Sequence, residues 1–148
     1  MVRTVFRIGE SALVHSGPAE VFAFVSDLRN FPLWRANLAT STVVSDNYTD
    51  VGARCEEEIR IGPRSIPATC QITIYDPGRT FSFRARSPGL QYDGLVTVEP
   101  EGDATRFTLS GDITVTGPLR LLQPVLRRRL QDGVREEVAA IRTHVEHA

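Results

Sequence analysis

The middle of the chain alternates apolar and polar residues with a period of two. Between residues 40 and 116, the alternating runs are separated by turn-forming segments: SDNYTDVG, GPRS, DPGR, SPG and EGDA. Successive side chains of a strand point to opposite faces, so this period predicts strands with one apolar and one polar face. The regular spacing of the turns predicts an antiparallel meander of about six strands.

The two ends of the chain follow different patterns. TVFRIGESALVH has the period of a strand, and the residues after it predict two short helices with Pro18 and Pro32 in their first turns. Beyond Thr116, apolar residues recur at spacings of three, four and seven, which predicts one long amphipathic helix with a kink near Pro124. Burying both apolar surfaces places the long helix on the sheet, in one domain spanning residues 1–148.

The alternation also predicts which strand residues face the interior. The predicted inner set is Ile66, Ala68, Cys70, Ile72, Ile74, Phe81, Phe83, Ala85, Tyr92, Gly94, Val96, Val98, Phe107, Leu109, Gly111, Ile113 and Val115. Leu126 and Leu130 lie on the apolar stripe of the long helix, and Trp34 falls in the second short helix. These residues are candidates for the core or for the wall of a binding site.

One predicted inner position carries a carboxylate. In RCEEEIRIG the alternation places Glu57 on the inner side, while Glu56 and Glu58 point outward. A four-residue GPRS loop would pair Glu57 with Cys70. An ionised carboxylate in a dry core costs several kcal/mol, so either the interior is polar there or a bulge turns the side chain out. The same alternation places Glu10 on the inner face of the first strand.

Composition excludes several kinds of chemistry. All seventeen cationic side chains are arginine, so a Schiff-base lysine and a phosphate-loop lysine are both excluded. The histidines and the two cysteines lack metal-ligand or redox spacing, and we therefore expect no metal and no cofactor. The net charge of −1 gives no electrostatic reason to bind nucleic acid or an anionic membrane.

Hydropathy adds an expectation about location. No apolar run approaches the roughly 18 to 20 residues of a membrane span. MVRTVFRIG also lacks the apolar core of a secretion signal, so a cytoplasmic location is expected.

Several segments resemble a known family. VHSGPAEVFAFVSDLRNFPLWRANL resembles the opening signature of the START-like superfamily, in its polyketide cyclase/dehydrase and lipid-transport branch. The matching residues are Val14, Pro18, Glu20, Val21, Phe22, Asp27, Pro32 and Trp34. VGARC, ITIYDPGRTFSFRA and VTVEPEGDATRFTLSGDI are similar to later segments of that family. The resemblance implies an α+β helix-grip fold, in which a curved seven-stranded antiparallel sheet of order 1-7-6-5-4-3-2 wraps around the C-terminal helix.

The resemblance also implies a deep cavity between sheet and helix for an apolar or amphipathic small molecule. Its candidate ligand-binding residues are Trp34, Glu57, Cys70, Phe81, Phe83, Tyr92, Phe107, Leu126 and Leu130. The resulting prediction is a binding or carrier protein for a lipid, a quinone or a polyketide-like molecule. A cavity below about 300 Å³ would count against it.

Two alternative functions remain open at this point. One is a polyketide cyclase or dehydratase, in which Glu57 would act as acid or base and Tyr92 would donate a hydrogen bond to the carbonyl. The other is a module that binds a protein partner, without a small-molecule ligand, through the sheet surface or the long helix. A homodimer is a further candidate assembly.

Overall fold

A computed structural model describes residues 3–147, and within them a single antiparallel sheet packs against helices. The strands are β1 (Arg3–Val14), β2 (Leu38–Val43), β3 (Arg54–Ile61), β4 (Arg64–Asp76), β5 (Thr80–Ser87), β6 (Leu90–Glu101) and β7 (Ala104–Thr116). The α-helices are α1 (Pro18–Val25), α2 (Phe31–Trp34) and α3 (Gln123–Glu146), with 3₁₀ helices at Leu28–Asn30 and Gly117–Leu122. The strand order is β1-β7-β6-β5-β4-β3-β2, which confirms the predicted helix-grip fold.

The core lies between the inner face of the sheet and α3. Phe107, Leu109, Ile113 and Val115 alternate with more exposed residues along β7, as the period of two predicts. From α3, a stripe that includes Val134 faces the sheet, mainly against β1 and β7. Each fully buried side chain of this size contributes roughly 1.5–3 kcal/mol, so burial in this layer is a large favourable contribution to folding.

The kink expected near Pro124 is absent from the described helix, because α3 begins at Gln123 and the proline lies in its first turn. A first-turn proline removes no intrahelical hydrogen bond, so it starts the helix and does not bend it. The residues before it, Gly117–Leu122, form a 3₁₀ helix that connects β7 to α3.

The β3–β4 hairpin has a tighter turn than the sequence suggested. Ile61 pairs with Arg64 and Glu57 with Ala68, so the loop contains only Gly62 and Pro63. Gly62 has φ 60° and proline holds φ near −65°, a combination that suits a type II′ hairpin turn. The predicted pairing was wrong by two residues, but an even shift leaves every side chain on its predicted face.

Ile74 is an inner position that was wrongly predicted. The pairing of β4 with β5 shifts between Ile72 and Ile74, which reverses the faces beyond that point. Ile74 is therefore 54% exposed, and Tyr75 turns inward to pack on Phe22, with ring centroids 5.5 Å apart.

The register defines two ends of the sheet. At the first, which we call the α3-start end, lie the start of β1, the turns at 62–63 and 88–89, and the segment Gly117–Leu122. At the opposite α1 end lie the β2–β3 loop and the turns at 77–79 and 102–103. None of the helices in residues 3–147 combines the length and apolar character needed to cross a bilayer.

Candidate functional site

The inward carboxylate of Glu57 is met by an arginine. Arg35 lies where α2 ends, and its Nη1 is 2.6 Å from Glu57 Oε2. Ser41 Oγ donates to the same oxygen at 3.1 Å. The two ionic side chains are 8% and 0% exposed, so Glu57 points inward without a bulge and the interior supplies a cation.

Aromatic rings complete the surroundings of Arg35. Its guanidinium carbon is 5.3 Å from the ring centroids of both Phe31 and Phe83, within the range of a cation–π interaction. Burial is the largest single influence on Arg35 and alone would lower its pKa, but the charges of Glu57, Cys70 and Glu137 and the hydrogen bond to Glu57 together raise the pKa above its ordinary value. Arg35 and Glu57 therefore form a charged but mutually neutralised pair.

A second buried carboxylate, Glu137 on α3, was not predicted. It is 8% exposed, and its Oε2 accepts a hydrogen bond from the backbone N–H of Ala36 at 2.9 Å. Burial raises its pKa from the ordinary 4.5 to about 7, although the charge of Arg35 acts in the opposite direction. The sequence did contain a signal, since Glu137 falls three residues after Val134 and four before Ile141 on the apolar stripe.

Tyr92 occupies space that two glycines leave open. Gly94 and Gly111 pair across β6 and β7, and a Cβ on Gly111 would come within 2.7 Å of the Tyr92 ring. The ring stacks on Phe83 at 5.5 Å, with 17° between the planes. Burial, followed by the charge of Glu137, raises the pKa of Tyr92, so its hydroxyl stays protonated. That hydroxyl is buried and makes no hydrogen bond to the described part of the chain.

Tyr92 and Glu137 line an interior cavity of about 50 Å³. Its wall also includes Arg35, Ala85 and Leu130. This volume holds a few water molecules and is well below the roughly 300–1,000 Å³ of a typical ligand pocket. The deep cavity that the resemblance implied is therefore not preformed here, which counts against the carrier prediction unless the cavity widens. Depressions of about 410 to 650 Å³ also occur, but they are open to solvent on the surface.

Aromatic side chains explain why the cavity is smaller than expected. Trp34 is 3% exposed and packs edge-to-face on Phe31 and Phe83, at 5.2 and 6.3 Å. Its indole Nε1 is a second buried donor without a partner among residues 3–147. These rings fill the volume that the resemblance implied would be open.

Of the nine predicted ligand-binding residues, Tyr92 and Leu130 are the two that line the cavity. Leu130 lines it, whereas Phe81, Phe107 and Leu126 belong to the packed core and are absent from its wall. Cys70 is a buried free thiol opposite Cys55, and burial raises its pKa.

Glu10 does not reach the cavity. It lies on the edge strand β1, where its side chain is 38% exposed and 3.5 Å from Arg135. The side chain that the alternation placed inside therefore sits at the border between sheet, helix and solvent.

The cavity wall thus offers a hydroxyl donor, a carboxyl group that titrates near neutral pH and a buried cation in apolar surroundings. Such groups can orient the polar part of a ligand or exchange a proton with it. Within residues 3–147, no cluster of three or more histidine, cysteine, aspartate or glutamate side chains could hold a metal ion.

Comparisons with known proteins agree with this architecture. Residues 6–146 match the family described as polyketide cyclase/dehydrase and lipid transport. No curated protein matches the chain by sequence.

Solved structures share the fold at low sequence identity. A protein from Thermus thermophilus has 16% identity and a TM-score of 0.80, over 95% of this chain and 97% of its own. A START superfamily protein from Mycobacterium smegmatis has 14% identity and a TM-score of 0.78 over the same shares. The Zhui aromatase/cyclase of Streptomyces sp. R1128 has 12% identity and a TM-score of 0.72, over 97% and 93%. At these identities the likeness shows the fold alone.

Proposed function

This chain belongs to the polyketide cyclase/dehydrase and lipid transport family, and we propose that it binds a mainly apolar small molecule in the cavity between sheet and α3. The ligand carries one polar group, which meets the Tyr92 hydroxyl and the Glu137 carboxyl. Apolar side chains enclose the rest of the molecule. A lipid, a quinone and a polyketide-like compound all fit this description.

The observation that carries the proposal is the buried Tyr92 hydroxyl on the cavity wall, without a partner in residues 3–147. Leaving a buried polar group unpaired costs about 1–3 kcal/mol. A ligand oxygen that accepts from this hydroxyl recovers that cost, so the site favours ligands with such an acceptor.

The cavity must widen to admit a ligand of this class. Leu90 and Leu130 line it and, like Ile59, are only partly buried, so they are apolar wall residues that can move aside. Both lie toward the α3-start end. Displacing them would open the cavity without breaking the sheet or the Arg35–Glu57 pair.

A cavity-filling variant tests the proposal. Ala85→Val adds two methyl groups to the cavity wall, and cavity filling commonly raises the free energy of unfolding by about 0.5–2 kcal/mol. We expect the protein, purified gently, to carry a non-covalent small molecule in native mass spectrometry, and Ala85→Val to lose it while keeping or gaining stability.

Ala104→Val is the matched control, because Ala104 is also buried but lies at the α1 end. The proposal fails if the wild type carries no small molecule and binds no apolar fluorescent probe with one-to-one stoichiometry. It also fails if both valine variants reduce binding equally.

A second candidate, an acid–base enzyme of the cyclase/dehydratase type, is favoured by one observation. The carboxyl with a pKa of about 7 is Glu137, which shares the cavity with Tyr92, whereas the carboxylate of Glu57 is held by Arg35. A general acid or base works best with a pKa near the operating pH. Turnover of a poly-β-keto substrate would then be lost in Glu137→Gln, and unchanged turnover in that variant would exclude this role.

A further inference from the structure

Charged side chains are divided unevenly between the two ends of the sheet. The strand ends, turns and helix start that form the α3-start end, residues 3–6, 59–67, 86–91 and 114–131, contain no aspartate or glutamate. They place a set of arginines there, which we call the basic end: Arg3, Arg60, Arg64, Arg86, Arg120, Arg127, Arg128 and Arg129. The overall charge of −1 therefore conceals a strongly cationic surface.

The arginines of the basic end have few acidic neighbours. Asp132 and Glu136 line the same depression as Arg128 and Arg129, and Glu56 and Glu58 line the same one as Arg86. None of these arginines forms a salt bridge within residues 3–147, whereas Arg7 and Arg84 in mid-sheet and Arg106 near the α1 end each pair with a carboxylate. All but Arg120 are exposed. Arg86 and Arg120 donate to Gln91 Oε1 and to the Gly117 carbonyl, and Arg127 lies over the Phe6 ring, but none of these contacts neutralises the positive charge.

The opposite end carries the compensating charge. Its loops and strand ends carry more acidic residues than arginines: Asp46, Asp50, Asp76, Glu99, Glu101 and Asp103 against Arg54, Arg79 and Arg106. An anionic surface would therefore attract the basic end and repel the α1 end, which fixes the orientation of approach.

Large apolar side chains project from the basic end. Leu121, Leu122 and Val125 are 85%, 53% and 64% exposed, and they lie between Arg120 and Arg127 in sequence. Isolated exposed leucines are common, but a group of three bordered by unpaired arginines indicates an interaction site.

We propose that the basic end docks on an anionic lipid bilayer. The arginines would contact the headgroups, while Leu121, Leu122 and Val125 would enter the boundary between headgroups and acyl chains. The projecting leucines favour a bilayer over nucleic acid. Binding to the phosphates of a nucleic acid would leave these side chains in water, whereas a bilayer can bury them. The docking does not depend on the proposed ligand, although it would bring the Leu90–Leu130 wall of the cavity to the lipid.

The test is co-sedimentation of the full chain with phosphatidylcholine vesicles, with and without phosphatidylglycerol. We expect binding only with phosphatidylglycerol, weakening between about 0.05 M and about 0.5 M salt, because screening shortens electrostatic attraction. Near an anionic surface each arginine contributes about a fivefold gain in affinity, so Arg128→Glu/Arg129→Glu should weaken binding at least about thirtyfold.

Two pairs of variants separate charge, apolar insertion and misfolding. Arg54→Glu/Arg79→Glu makes the same charge change at the α1 end and should leave binding within about twofold of the wild type. Leu121→Ser/Leu122→Ser should weaken binding at least about tenfold, and Val44→Ser/Val51→Ser, at the α1 end, should not. Circular dichroism checks that each variant is folded.

Each contrary result overturns the proposal. Absence of binding to phosphatidylglycerol vesicles at low salt excludes a membrane surface. Equal losses of vesicle binding in Arg128→Glu/Arg129→Glu and in Arg54→Glu/Arg79→Glu exclude a specific role for the basic end. Unchanged binding by Leu121→Ser/Leu122→Ser excludes insertion and indicates a purely anionic partner. A wild-type dimer that Leu121→Ser/Leu122→Ser converts to a monomer, measured by light scattering, assigns the leucines to self-association.

Discussion

Glu57 and Glu137 are both buried carboxylates, but only Glu57 forms a salt bridge within residues 3–147. Glu57 meets Arg35 at 2.6 Å and Ser41 at 3.1 Å, whereas Glu137 accepts a hydrogen bond from the backbone of Ala36. Arg35, the nearby cation, forms its salt bridge with Glu57, and burial raises the pKa of Glu137 to about 7. One interior thus contains a carboxylate held in a salt bridge and a carboxyl group available for proton exchange.

The largest expected effect comes from removing the cation. Arg35→Met leaves Glu57 buried and unpaired, which typically costs about 3–5 kcal/mol. We expect a loss of that size in the free energy of unfolding, measured by urea denaturation at neutral pH. Arg35→Met/Glu57→Met should recover most of it, because an apolar pair replaces the ion pair. A loss below about 1 kcal/mol in the single variant would show that the pair is not desolvated.

The pH dependence of stability tests the second carboxyl. Between pH 4.5 and about 7, the folded state binds more protons at Glu137 than the unfolded state does, because folding raises the pKa. The free energy of unfolding therefore falls as pH rises through this window, by on the order of 3 kcal/mol, and then levels off.

Glu137→Gln should remove that decline, since an amide oxygen can still accept from Ala36 without ionising. Urea denaturation at several pH values measures the difference from the wild type. Glu136→Gln, an exposed neighbour on α3, should keep the decline. Parallel pH curves for the wild type and Glu137→Gln would contradict the raised pKa.

The smallest effect is expected at the hydroxyl beside Glu137. Tyr92→Phe removes no hydrogen bond to residues 3–147, so stability should stay within about 0.5 kcal/mol or rise slightly. Thr105→Val is the contrast, because the buried Thr105 hydroxyl donates to the Ser16 carbonyl at 2.6 Å and its removal should cost about 1 kcal/mol. Similar losses in both variants, measured by thermal unfolding, would mean that Tyr92 has a partner in the protein.

Much of the fold could be predicted from local patterns. The inward direction of Glu57 followed from its position two residues after Cys55 on the same strand. The predicted turn length was wrong, but the strand pairing shifted by two residues, and an even shift leaves each side chain on its predicted face. The prediction for Ile74 was wrong because a bulge reverses the faces of β4, and the alternation of the sequence does not reveal a bulge. Glu137 lies on the apolar stripe that the sequence predicts for the long helix. The sequence alone does not show whether one acidic residue on such a stripe is buried or turned to solvent.

By itself, the sequence determined the order of the elements, the inner face of most strands and the family resemblance, because periodicity and turn residues act over a few neighbouring positions. Only the tertiary structure decided that Arg35 lies beside Glu57, that aromatic rings reduce the cavity to about 50 Å³, and that scattered arginines meet at one end. These features depend on strand register and on the path of the chain between elements, which bring together residues far apart in sequence.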